Sequence, residues 1–99
     1  MRLTQQEVAA IRRVTAEVAG PTAQVKLFGS RVRDDLRGGD IDLLIELPVP
    51  TADKLSLSLR TGARLQMAIG ERKIDVLVTD PQTEETPLIR AARQQGIAL

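Results

Sequence analysis

Val8, Ile11, Val14 and Val18 recur three to four positions apart, and this spacing predicts a helix over residues 4–19. Thr4 and Glu7 are spaced as a capping box, Leu3 and Val8 occupy the staple positions, and Gly20-Pro21 marks the stop. The period then drops to two. Residues 24–28 alternate over a short run and predict a strand, broken by Gly29-Ser30. Residues 31–39 are too polar for a core element and read as a turn of helix followed by a glycine loop. Residues 40–47 are half alternating and half continuously apolar. They predict a second strand, stopped by Pro48 and Pro50.

Residues 51–69 carry two periods at once. Leu55, Leu57 and Leu59 alternate with serines as a strand would, whereas Leu55, Leu59, Ala63 and Met67 form a helical row. The segment is too long for one strand, so length decides for a helix, ended by Gly70. Residues 73–79 predict a third strand, closed by Asp80-Pro81. Thr86 caps a last helix that has Pro87 at its first position and Gly96 just past its end. The order helix, strand, strand, helix, strand, helix predicts one α/β (α+β) domain over residues 1–99. Its sheet is small, mixed and three-stranded, with a short extra C-terminal strand as the variant. Helices lie mainly on one face, and the other face is open or available to a partner.

Composition narrows the chemistry. The chain has no His, Cys, Trp or Tyr, and Phe28 is its one aromatic residue. Thiol nucleophiles, Ser-His-Asp triads, His-ligated metals, zinc–cysteine sites and disulfides are therefore excluded. A net charge of +1 supplies no global field for nucleic acid or acidic membrane, and one aromatic residue argues against base stacking, so no direct nucleic-acid partner is expected. No apolar run approaches a membrane span and the N-terminus lacks a signal-peptide core, so a soluble, cytoplasmic protein without a membrane partner is expected.

Two carboxylates stand out within apolar sequence. Asp40 and Asp42 sit at i and i+2 on one predicted strand, so they share a face, with Cα atoms about 6–7 Å apart. Like charges this close raise one another's pKa unless a cation lies between them. Asp75 stands alone inside the apolar run Ile74-Asp75-Val76-Leu77, with Lys73 two positions before it as an alternative partner. If the two strands are neighbours, three carboxylates converge on an oxygen-only site of the kind that selects Mg²⁺ or Mn²⁺. Taken singly, an Asp-x-Asp is ordinarily a solvated strand end or a partner for Arg. Gly29-Ser30 changes the balance. A glycine admits close backbone approach, and a helix N-terminus behind it offers N–H groups to phosphate, with Arg31 and Arg33 within reach. A phosphate-binding turn plus three acids matches two metal ions clamping a triphosphate for in-line displacement.

Leu27-Phe28-Gly29-Ser30-Arg31, then Gly39-Asp40-Ile41-Asp42-Leu43, then Lys73-Ile74-Asp75-Val76-Leu77 resembles the polymerase beta-like nucleotidyltransferase superfamily. The length resembles its minimal nucleotidyltransferases, the MNT proteins that serve as antitoxins to helical HEPN ribonuclease toxins. The resemblance implies that Gly29 and Ser30 hold the β- and γ-phosphates of ATP, with Arg31 and Arg33 at positions that are often basic. It implies that Asp40 and Asp42 bind two Mg²⁺ ions, and that Asp75 binds the second ion and helps deprotonate the acceptor. The implied reaction moves AMP from ATP to a hydroxyl, a tyrosine of the HEPN toxin in characterised members, and releases pyrophosphate. Asp34 stands where the family pattern has glycine, and Gly39 where it has Ser or Thr. The rival reading is a catalytically silent module that neutralises its partner by contact. Leu55, Leu57 and Leu59 exceed what one helix face needs, and they read either as core or as part of a protein–protein surface.

Overall fold

The protein is described here by a computed structural model covering residues 3–29, 40–70 and 72–99. Helix α1 spans Gln5–Ala19. Its capping box is complete: the Glu7 N–H donates to Thr4 Oγ1 at 3.1 Å, and the Thr4 N–H donates to Glu7 Oε1 at 2.9 Å. Strand β1 (Gln24–Phe28) follows, then β2 (Ile41–Glu46), α2 (Lys54–Ile69), β3 (Ile74–Thr79), α3 (Pro87–Gln95) and a two-residue β4 (Ile97–Ala98). The expected helical turn at 31–39 lies outside the described residues.

The sheet runs in the order β3-β2-β1-β4. β1 pairs antiparallel with both β2 and β4, whereas β2 and β3 are parallel. A parallel pair needs a crossover, and α2 supplies it. β4 realises the extra C-terminal strand, and the Leu99 N–H extends it with a 3.0 Å bond to the Val25 carbonyl.

Strand alternation divides the sheet into two faces. Ile41, Leu43 and Ile45 join Val25 and Leu27 against Ile11 and Val14 of α1 and Leu65 of α2, and this is the main core. Leu43 is fully buried within it. Leu43→Ala is expected to cost about 2–5 kcal/mol, read from the urea midpoint, because the cavity it leaves is enclosed on both sides. Helices were expected mainly on one face. α1 and α2 do share one, but α3 covers part of the other. The reason is Leu44: its even register turns it away from the main core, and it is buried all the same. Ile89 and Ala92 of α3 are buried as well. Arg93 ties α3 to this face through Glu46 at 3.0 Å, and Lys26 meets the same carboxylate at 3.3 Å.

α2 resolves the two overlapping periods. Thr61 and Leu65 turn inward and Leu57 packs against the core, whereas Leu55 and Leu59 are 70% and 64% exposed. The core reading holds for Leu57 alone. α2 also overhangs the outer edge of β3. Ser58 Oγ donates to the Val76 carbonyl at 2.6 Å, and Gln66 Nε2 donates to the Arg72 carbonyl at 3.0 Å.

Asp80 fastens the loops that follow β2 and β3. Its buried carboxylate accepts from the Thr51 N–H at 2.8 Å, the Gln82 N–H at 2.9 Å, Lys54 Nζ at 3.1 Å and Thr83 Oγ1 at 3.1 Å. The Thr51 bond foremost, with Lys54, Gln82 and Thr83, holds its pKa below the ordinary carboxylate range. A depressed carboxylate contributes stability in full above its unfolded pKa and loses it as pH falls towards the folded value. Asp80→Asn should therefore lower the melting temperature at pH 7, with the gap to the parent closing below about pH 4. A gap that does not change with pH would contradict this assignment. Among the described residues, no helix is long and apolar enough to cross a membrane.

Candidate active site

Register brings the two strand acids together. Phe28 of β1 is the partner of Asp42 of β2, and Asp42 is the partner of Asp75 of β3. Directly paired residues share a face, so Phe28, Asp42 and Asp75 form one row across three strands, with neighbouring side chains about 5 Å apart. The row lies on the face opposite the main core, at the end where β2 and β3 begin. It borders a cleft of about 750 Å³ that reaches Leu77, Leu88 and the overhanging part of α2.

Gly29 makes room for Asp42. Its φ is +78°, in the left-handed region that favours glycine. A Cβ at this position would collide with Asp42 Oδ2. Beside the close approach to phosphate that the sequence suggests for this glycine, the missing side chain leaves room for the Asp42 carboxylate.

Electrostatics at Asp42 follow from this crowding. Burial pushes its pKa up, the charge of Asp75 adds to this, then that of Asp40, and then a hydrogen bond to the Asp75 side chain; Lys73 opposes them. Asp75 is exposed at the rim. Asp40 shares the face of Asp42 but stands one step before the strand, where Lys73 Nζ reaches its Oδ2 at 3.8 Å. Lys73, weighed from sequence as a partner for Asp75, thus makes its ion pair with Asp40. Among the described residues, no group of three acidic side chains is gathered closely enough to hold an ion. The close pair is Asp42 with Asp75, and Asp40 is the outlying member. Ser30, Arg31 and Arg33 lie outside the described residues.

The donor set fits a hard divalent cation. It is all oxygen, and two paired carboxylates repel one another when both are ionised. Because Asp42 is held part-buried beside Asp75 with its pKa raised, the pair gains from a cation between its members. Asp42 and Asp75 are therefore the residues that would hold Mg²⁺, with Asp40 at the edge of reach.

Several cleft residues went unmarked in the sequence. Phe28 was noted as the sole aromatic but not as the neighbour of Asp42. Leu77 and Leu88 carried no signal, because apolar residues at those positions look like core. Gly62 was legible in retrospect, since a glycine in mid-helix needs a reason.

A family model described as nucleotidyltransferase domain matches residues 9–90. The match takes in both strands of the acid pair, the glycine beside them and the crossover helix. The chain belongs to the nucleotidyltransferase domain family, and this membership supports nucleotidyl transfer as its general activity. A search of curated proteins finds no match to the chain.

Proposed function

We propose that this chain is an Mg²⁺-dependent nucleotidyltransferase that moves AMP from ATP to a hydroxyl of a partner protein, a tyrosine of a HEPN-type toxin, and so acts as an antitoxin. One observation carries the site: Asp42 and Asp75 stand side by side in register, with Gly29 opening the space for the first of them. Family membership supports the reaction class. Asp42 and Asp75 would hold the ions, with Asp40 joining them only by leaving its ion pair with Lys73, and Gly29 with Ser30, Arg31 and Arg33 would take the triphosphate. Ions held there would neutralise charge on the leaving pyrophosphate and lower the pKa of the acceptor hydroxyl. The acceptor oxygen bonds to the α-phosphorus, the bond from that phosphorus to the bridging oxygen breaks, and pyrophosphate leaves. The acceptor's proton passes to the Asp75 carboxylate, which is exposed at the rim where an acceptor can reach it.

The test is incubation of the chain with a HEPN-type toxin, ATP and Mg²⁺, followed by the intact mass of the toxin. A gain of whole AMP units that EDTA prevents supports the reading. The exposed Leu55 and Leu59 favour a second reading, neutralisation by contact alone. A toxin silenced at unchanged mass, equally well by the Asp42→Asn variant, would establish that reading in place of the first.

A further inference from the structure

The cleft beside the acid pair is lined by Ile74, Asp75, Val76 and Leu77, four consecutive residues of β3. Side chains alternate between faces along a strand, so a strand that lines a cleft with consecutive residues presents its edge. β3 is the outermost strand on this side of the sheet. The ladder with β2 fixes which of its backbone groups point outward. The Ile41 and Leu47 N–H groups bond the Lys73 and Thr79 carbonyls at 2.9 and 2.8 Å, so the odd-numbered residues of β3 serve β2. Ile74 and Val76 therefore turn their N–H and C=O groups into the cleft. Ser58 takes one lone pair of the Val76 carbonyl. Among the described residues, no backbone bond outside the β2 ladder engages Ile74 or Val76.

The walls of the cleft are apolar. Leu59 on α2 and Leu88 on α3 flank the edge, and they are 64% and 59% exposed. Gly62, inside α2, lines the same cleft. A glycine there weakens the helix, yet a Cβ at Gly62 would meet nothing within 4 Å. Among the described residues, nothing packs where that side chain would stand. The outward N–H groups of Ile74 and Val76 and the Ile74 carbonyl, between the Arg72 and Val76 carbonyls that Gln66 and Ser58 already engage, join apolar walls and a bare stretch of helix to describe a seat for extended polypeptide.

We infer that the acceptor protein docks on β3 as an added strand, an extended segment of apolar residues with one hydroxyl residue paired to Asp75. A residue paired with Asp75 across such a ladder shares its face and stands about 5 Å from it. That residue would extend the row Phe28, Asp42, Asp75 by one member, and its hydroxyl would arrive at the acids without any further binding element. The inference rests on the nucleotidyl-transfer reading of the acid pair, but its binding half can be measured without nucleotide.

The experiment titrates isotope-labelled protein with synthetic heptapeptides of alternating valine and alanine bearing a central tyrosine, and with the same peptide carrying proline on either side of the tyrosine. Expected is at least tenfold slower exchange of the Ile74 and Val76 amide protons with the first peptide, and no change with the proline control. Gly62→Gln should weaken capture at least tenfold while its melting temperature equals or exceeds that of the parent, since glutamine is the better helix former. Leu88→Lys, at an exposed site, should weaken capture without loss of fold. Undiminished capture by Gly62→Gln, or a peptide footprint away from β3, overturns the inference. Protection of the same amides by rising protein concentration alone, with a dimer in sedimentation, assigns the edge to a second copy and overturns it too. Binding of ATP with Mg²⁺ is measured separately on the parent. Peptide capture without nucleotide binding leaves the added strand standing and removes the reading of the acid pair.

Discussion

Asp42→Asn is expected to reduce nucleotidyl transfer about 10²–10³-fold and to leave the fold intact. The substitution keeps the size of the side chain and its capacity to hydrogen-bond Asp75, and it removes the negative charge that a divalent ion requires. Fold and function should then move in opposite directions. The pKa of Asp42 is raised by burial, by Asp75 and by Asp40, so the ionised group opposes folding at neutral pH. The sign follows from proton counting. The folded chain binds the proton more tightly than the unfolded chain, so the parent gains stability as pH falls through the raised pKa towards that of the unfolded carboxyl. In metal-free buffer with EDTA, Asp42→Asn should therefore melt above the parent at pH 7, and the two should converge below about pH 4. A variant that is both inactive and less stable at pH 7 would make Asp42 a structural residue.

Gly29→Ala is the second large effect. One methyl group would have to share space with Asp42 Oδ2, and alanine would have to hold a φ of +78°. The backbone strain alone is worth roughly 1–2 kcal/mol. The displaced carboxylate matters more, since a misplacement near 1 Å costs about 100-fold in rate. Gly20→Ala separates the two causes. Gly20 has a φ of +101° but open space at its Cβ. It should lose similar stability, read by thermal melting, and keep full transfer. Equal losses of transfer in the two variants would assign the effect of Gly29 to backbone strain alone.

Legibility from sequence varied with the kind of signal. Caps and stops were clear because they are local: Thr4 with Glu7, Thr86 with Pro87, and the glycines at 20, 70 and 96 all lie where the structure ends or begins a helix. Strand acids were legible as exceptions within apolar runs. Their pairing was not, because register between β2 and β3 depends on how α2 spans the crossover, which no local pattern states. The partial cover that α3 gives the second face was hidden for a similar reason. Leu44 lies inside a continuous apolar run, and a run buried on both sides does not reveal which helix covers the far side. The cleft was invisible in detail, since Leu77 and Leu88 read as ordinary core and only Gly62 broke a local rule.

The acid row sits where β2 and β3 start, and the Asp80 network closes the loops where the same strands finish. Rigidity and reactivity are thus quartered at opposite poles of the sheet. Heat tolerance can then be engineered at one pole, around Thr51, Lys54 and Thr83, without the usual toll on turnover at the other.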